Sequence, residues 1–312
     1  MYSRFEALQN YGEEEKKVLQ QSTVAVIGLG ATGSVIAENL ARHGVDLKII
    51  DRDYLESNDV YSSNIYTPEQ CEESLPKAEA AREYLSRFTD VETRVESLSP
   101  DNIEGILQDV DLIVDGTDNL ETRLLISEFS QKEGLPWIYT AAIAEQGYSM
   151  LFDKKCFNCI FEKVSPGKLE TCETAGVLRE ISGQTGLKSA EKAVKLLAGM
   201  ETEEKLDVVH KGESLDVESD GCKVCHQESL PRLNGQSKTT AVCGENKYQV
   251  HLDSETDAGK LEKLGDIIAD NEYLTRAEID GREVTVFEDG RVILNARDRG
   301  HAEALVSEIL GL

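Results

Sequence analysis

No apolar run in the 312-residue chain approaches the roughly 20 residues that cross a bilayer, so nothing in it reads as a membrane span. The opening Met-Tyr-Ser-Arg-Phe-Glu lacks the apolar core of a secretion signal, and the expected compartment is the cytoplasm. Positive charge is scarce: 33 Lys and Arg face 59 Asp and Glu, a formal net charge of −26. A surface of that sign repels DNA, RNA and anionic lipid at ordinary salt, which excludes nucleic acid and membrane as direct partners. The acids are spread along the chain without a single acidic tail; a high-salt cytoplasm and an ordinary solvated face account for them equally well. Internal repeats and low-complexity tracts are also missing, which sets aside repeat arrays.

What is present begins with an ordinary globular composition, 40% hydrophobic and 29% charged, long enough for one large and one small domain. The chain is organised around residues 24–33. Four apolar residues, Val24 to Ile27, run into Gly28-Leu-Gly30-Ala31-Thr32-Gly33. A helical pattern with Val35, Ile36, Ala37, Leu40 and Ala41 on one side follows, then a strand, Leu47 to Ile50, ending on Asp51. Strand, glycine turn, helix and strand ending in an acid is the order of a nucleotide-binding βαβ unit. The glycines let backbone approach phosphate, the helix start offers free N–H groups, and Asp51 is placed to accept from a ribose. Dehydrogenases, methyltransferases and adenylating enzymes share this signal, so it alone does not choose the ligand.

Residues 6–21 form a helical lead-in, preceded by Arg4. Beyond Asp51, the polar stretch Arg52 to Asn58, including Asp53, falls at a strand's carboxyl end, where open parallel sheets hold ligands. Lys77 opens the next helix, whose inner face is Ala78, Ala81, Tyr84 and Leu85; a cation there opposes the helix dipole and suggests an anionic partner. A strand at 91–95 and a short helix precede the strand Val110 to Val114, which ends in Asp115-Gly-Thr-Asp118-Asn119 and a helix carrying Arg123. Asp51 and Asp118 at neighbouring strand ends suit ribose and magnesium respectively. Residues 137–143 make a fifth strand, and 148–152 turn back beside it.

The seven cysteines include two Cys-x-x-Cys pairs, Cys156 with Cys159 and Cys222 with Cys225. In a chain with no secretion signal these predict a structural zinc on four thiolates, closed and therefore a staple; His226 is a weaker alternative ligand. Cys172 lies in a polar loop ahead of the helix 181–197, a setting that can lower a thiol's pKa, while Cys71 and Cys243 read as structural. The expected domains are 1–226, an α/β unit with a Rossmann-like, mostly parallel sheet, helices on both faces and a zinc staple; a linker at 227–238; and a small α+β domain at 239–312. In that last part we expect a strand at 247–252, a helix at 260–269, a hairpin of 283–287 with 291–294, and a closing helix at 302–310.

Tyr2-Ser-Arg4, the glycine turn, Asp51-Arg-Asp53, Ser57-Asn58, Lys77, Thr117-Asp-Asn119 with Arg123, both Cys pairs and Cys172-Glu-Thr-Ala-Gly-Val-Leu178 occur in an order that resembles the ThiF/MoeB/HesA family of ubiquitin-activating-enzyme-like adenylyltransferases. The resemblance runs from Tyr2 to Cys225. It implies ATP and magnesium as cofactors, a structural zinc, a homodimer, and adenylation of the C-terminal glycine of a ubiquitin-like or sulfur-carrier protein ending in Gly-Gly. In its terms Lys77 serves the phosphates, Asp118 holds magnesium, Asp51 the ribose, Asn58 lines the site and Arg4 reaches into the partner's site. Cys172 matches the conjugating cysteine, forming a thioester or taking part in sulfur transfer.

One departure stands out. The family usually continues Ser-Asn-Leu-x-Arg-Gln, with that arginine on the phosphates; here the text is Ser57-Asn-Asp-Val-Tyr61-Ser62. Such a clamp contributes about 3 kcal/mol to a phosphate reaction, so activity would need Arg52 or Arg123 to compensate. A non-catalytic nucleotide- or carrier-binding protein of the same fold is the alternative, with an NAD-dependent dehydrogenase further behind.

Overall fold

The computed structural model describes residues 8, 11–161, 175–218, 222, 224–225, 229–234, 247–251, 261, 264–288, 290–297 and 299–310. Helix α1 (Glu13–Gln21) leads into β1 (Thr23–Ile27), α2 (Gly33–Arg42) and β2 (Asp46–Ile50). Short helices α3 (Asp59–Ser62) and α4 (Pro68–Glu72) precede α5 (Lys77–Leu85), β3 (Val91–Arg94), α6 (Ile103–Leu107), β4 (Leu112–Asp115) and α7 (Leu120–Glu133). Then come β5 (Trp137–Ile143), β6 (Gln146–Phe152), α8 (Asn158–Phe161), α9 (Arg179–Leu197), β7 (Lys205–Val208) and β8 (Glu213–Asp216).

These strands form one sheet in the order β3-β2-β1-β4-β5-β6-β7-β8. The five from β3 to β5 are parallel, and β6, β7 and β8 extend the sheet antiparallel. Four successive residues are buried in each of β1, β2 and β4. Because alternate side chains point to opposite faces, such strands need cover on both sides. On one face Ala25, Ile27 and Ile113 join Ile103, Ile106 and Leu107 of α6 and Leu124, Ile126 and Phe129 of α7. Elsewhere α9 packs closely on α2: a Cβ at Gly186 would lie 2.9 Å from the Thr32 carbonyl oxygen. The expected α/β fold is therefore present. After β1 the chain adds β2 and β3 to one side and, from β4, builds toward the other, which opens a crevice at the carboxyl ends of β1 and β4.

The chain divides into two compact units, the first comprising residues 1–54, 58–67 and 76–237, the second 55–57, 68–75 and 238–312. The second contains an antiparallel sheet of β9 (Lys247–His251), β10 (Asp266–Asp270), β11 (Leu274–Ile279), β12 (Arg282–Phe287) and β13 (Arg291–Asn295), ordered β10-β11-β12-β13-β9. Helix α10 (Arg299–Leu310) places Ala302, Leu305 and Val306 against Ala277, Val284, Val286, Val292 and Leu294. The helix expected over 260–269 is corrected here, since Asp266–Asp270 is an edge strand with a register shift between Ile267 and Ala269. Leu261, Leu264 and Ile268 fall at helical spacing, but Ile267 pairs with Ala277 and Ala269 with Arg276 of β11, and pairing overrides the periodicity. The strands β7, β8 and β11 went unforeseen.

Candidate functional site

At the crevice three backbones interlock. Gly28 adopts φ 81°, open to glycine, and a Cβ there would sit 3.0 Å from Gly116 C and Thr117 N. A Cβ on Gly33 would lie 1.8 Å from the Gly28 carbonyl oxygen, and one on Gly116 2.8 Å from Gly33 Cα. Gly116, which sequence reasoning passed over, is thus a fourth member of the glycine turn, contributed by the end of β4. Gly30 differs: a Cβ there would meet nothing within 4 Å, so packing does not require glycine and the space beside it is open to a ligand. Ala31 and Thr32 complete the turn, with Thr32 at the start of α2 making no side-chain cap bond.

Asp51 is buried and spends both carboxylate oxygens on backbone. Oδ2 accepts from Leu29 N at 2.6 Å and Oδ1 from Asp53 N at 2.8 Å. Burial, with Asp53 nearby, pushes its pKa up to about 6, against the pull of Lys77 and those two N–H bonds. The Asp51 expected to reach a ribose therefore also shapes the turn. Tyr66 completes the grip: its hydroxyl donates to the Leu29 carbonyl at 2.8 Å, so both polar groups of the Leu29 backbone are fixed. No signal near Tyr66 marked it in advance. Lys77 opens α5, as expected, and its Nζ lies 3.1 Å from Asp59 Oδ1 on α3. Burial alone would lower its pKa, but the Asp59, Asp51 and Asp53 carboxylates outweigh it and keep the ammonium charged. Arg52 pairs with Asp53 at 3.6 Å, and Asn58 stands exposed at the N-terminal end of α3 without a side-chain cap bond to it.

Beyond β4 the expected residues separate by role. Asp118 is exposed and, among the described residues, has no hydrogen-bond or ion-pair partner, which leaves its carboxylate free to hold magnesium. Asn119 caps α7, its Oδ1 accepting from Glu121 N at 2.9 Å and Thr122 N at 3.3 Å. Arg123 turns away into the protein. Its Nε lies 3.3 Å from Asp115 Oδ2, it donates to the Thr117 carbonyl and, at 3.2 Å, to that of Thr140, and it sits 5.0 Å over the Tyr139 ring. Burial raises the Asp115 pKa against the opposing pull of Arg123 and Thr117. This pair braces the loop that presents Asp118.

The four paired cysteines converge. Sγ separations are 3.7 Å for Cys156–Cys159 and 3.3 Å for both Cys156–Cys222 and Cys159–Cys225, and all four sulfurs lie within 4.8 Å of one another. Tetrahedral zinc with Zn–S near 2.3 Å needs sulfurs about 3.8 Å apart, so the set fits the metal. Burial, reinforced by neighbouring sulfurs, pushes the Cys156 thiol well up and Cys225 to about 12, whereas at Cys222 the hydrogen bonds it accepts outweigh burial and pull the thiol down. Residues of α7 hold the flanking chain: Ser127 Oγ accepts from Phe157 N at 2.9 Å, and Gln131 donates to the Lys155 carbonyl at 3.0 Å. The buried Glu128 Oε2 accepts from Arg232 N at 2.8 Å and Leu233 N at 3.2 Å.

Arg4, Cys172, His226 and Cys243 lie outside the described residues; Cys71 is half-buried. At the carboxyl end of β5, Ala144 N donates to the Gly176 carbonyl at 2.8 Å and Leu178 N to that of Ala144 at 2.9 Å.

The profile of the ThiF family matches residues 2–229, most of the chain. The protein belongs to the ThiF family. Along 99% of both chains this ThiF-family protein is 31% identical to a sulfur carrier protein ThiS adenylyltransferase of Bacillus subtilis. It is 30% identical to a SAMP-activating enzyme E1 of Haloferax volcanii, over 63% of this chain and 74% of that one. Among solved structures, Escherichia coli MccB superposes with TM-score 0.61 at 16% identity, covering 72% of this chain and 71% of that one, a likeness of fold. No helix among the described residues is long and apolar enough to cross a membrane.

Proposed function

We propose that this ThiF-family protein is an ATP-dependent adenylyltransferase that activates the C-terminal glycine of a ubiquitin-like or sulfur-carrier protein. The identity to a ThiS adenylyltransferase along 99% of both chains carries this reading. The crevice supports it with an open glycine turn, a half-buried cationic lysine and, among the described residues, an unpaired aspartate after β4. A carrier carboxylate oxygen attacks the α-phosphorus of ATP, the bond to the bridging oxygen breaks, and pyrophosphate leaves. Negative charge shifts onto the leaving group, and Lys77 is the fixed cation that answers it. Magnesium at Asp118 would neutralise phosphate charge; Asp51, Asp53, Asn58 and Asn119 shape or line the nucleotide's seat, and Arg123 braces it.

The acyl-adenylate is an activated carbonyl. A Cys172 thiolate that attacks it forms a thioester and releases AMP; alternatively a Cys172 persulfide, its outer sulfur taken from a persulfide donor, attacks the same carbonyl, forms an acyl disulfide and releases AMP. Cys156, Cys159, Cys222 and Cys225 would hold zinc with no open position, so the metal would staple the fold. Residues 1–226 are assigned this chemistry, in a cytoplasmic homodimer to which Arg4 contributes across the interface. Tyr61 in place of an arginine favours the second reading, binding without turnover.

ATP–pyrophosphate exchange with a Gly-Gly-ended carrier decides between them. Exchange that requires the carrier carboxylate and falls at least about a hundredfold in Asp118→Ala is expected. No exchange despite ATP binding would leave the binding protein. Cys172→Ala should still exchange and lose any reducible carrier adduct; an adduct that persists removes Cys172 from its role.

A further inference from the structure

A polyphosphate entering this crevice meets several carboxylates. Asp51, Asp53, Asp59 and Asp118 lie in the segments that follow β2 and β4, in a chain of net charge −26. The cations nearby are committed: Lys77 to Asp59, Arg52 to Asp53, and Arg123 to Asp115. Neither arginine that was expected to replace the one missing at position 61 is therefore available in full.

A different arginine, exposed at the start of α9, reaches the same segment. Arg179, the first residue of α9, donates from Nε to the carbonyl oxygen of Tyr61 at 3.1 Å and from the guanidinium to Asn64 Oδ1 at 2.5 Å. These partners are 118 and 115 residues away in sequence, which is why no local pattern pointed to them. Both acceptors are neutral, and among the described residues no acid pairs with Arg179. A cation in a helix's first turn is disfavoured by the dipole, so nothing in the folding of α9 itself calls for it.

The segment Arg179 grips is tied at both ends to residues of the crevice. Within residues 59–66, Asp59 holds Lys77 and Tyr66 holds the Leu29 carbonyl of the glycine turn. Arg179 clasps the stretch between them, with the Tyr61 ring itself left 78% exposed. We infer that Arg179 is a positioning residue of the crevice: it fixes residues 59–66 against α9 and supplies there the uncompensated positive charge that a polyphosphate requires. The inference rests on reading the crevice as an ATP site.

Calorimetric titration with Mg-ATP, and separately with adenosine, of the wild type, Arg179→Ala, Arg179→Lys and Asn64→Ala tests it. Arg179→Ala should weaken ATP about tenfold and adenosine less than about twofold, with Arg179→Lys recovering part of the loss by retaining charge. Asn64→Ala, which removes one acceptor and no charge, should cost ATP about twofold, and melting temperatures should hold within about 2 °C. Equal losses for ATP and adenosine, or an Arg179→Ala protein that binds ATP like the wild type, would overturn the inference while leaving the site's identity standing. A wild type that binds no ATP removes the reading of the crevice and the inference together.

Discussion

The glycine crevice and the cysteine cluster belong to the same unit and are built on opposite plans. At the crevice, backbone is pressed so tightly that side chains are impossible at Gly28, Gly33 and Gly116, yet Gly30 and Asp118 are left open. Around the cysteines every sulfur already faces three others, and the flanking backbone is hydrogen-bonded outward to Ser127, Glu128 and Gln131. One region spends its packing to leave a vacancy; the other fills its interior with ligands of a single kind. The first is the form of a site that turns over a ligand, the second that of a staple.

The comparison breaks most completely at Gly33. A Cβ 1.8 Å from the Gly28 carbonyl oxygen cannot be accommodated by side-chain motion, since the clash is with backbone. Gly33→Ala should lose ATP binding beyond detection and destabilise the protein by about 3 kcal/mol or more. Calorimetry and urea denaturation check both; a variant with normal ATP affinity would show that the turn is not the nucleotide seat. Gly30→Ala is the internal contrast, since it should fold like the wild type and still impair ATP where ligand approaches that backbone.

A smaller and differently shaped effect is expected at the cluster. Cys222→Ser should abolish bound zinc, counted by elemental analysis, and lower the melting temperature by about 10 °C, the equivalent of about 3 kcal/mol in a unit of this size. ATP affinity of the folded fraction should change less than about threefold, because the crevice draws no ligand from the cluster. Zinc-free protein with an unchanged melting temperature would deny the staple.

Sequence made the crevice legible where chemistry is local. Gly28, Gly33 and Asp51 sit in one short unit whose order carries its own meaning, and each Cys-x-x-Cys pair names a metal by spacing. What escaped comes from far along the chain. Gly116 approaches Gly33 only because β4 lies beside β1; Tyr66 reaches Leu29 and Arg179 reaches Tyr61 only through the fold. Arg123 shows the converse, a residue whose motif suggests ligand contact and whose guanidinium faces a buried aspartate. The strand at Asp266–Asp270 failed for a related reason, since a partner strand, absent from any local window, outweighed helical spacing.

The least dramatic effect, and the most discriminating, concerns Asp51. Its pKa of about 6 in the folded protein exceeds the ordinary carboxylate value, chiefly through burial. Between about pH 4 and pH 6 the native state therefore holds a proton that the unfolded chain has released, and stability falls as pH rises across that window. Binding should move the other way. Only the carboxylate can accept from Leu29 N and Asp53 N together without a proton in the way, so ATP affinity should rise through pH 6 as the turn tightens. Asp115 and Glu128, raised by burial too, tilt stability in the same direction, so the wild type must be compared with Asp51→Asn. That amide turns an N–H toward one of the two backbone donors and should bind ATP about tenfold more weakly at pH 7.5. Its stability should also decline less steeply than that of the wild type from pH 4 to pH 6. Parallel stability curves for the two proteins would mean that Asp51 ionises as freely as a surface acid, and the tight grip on Leu29 would lose its electrostatic basis.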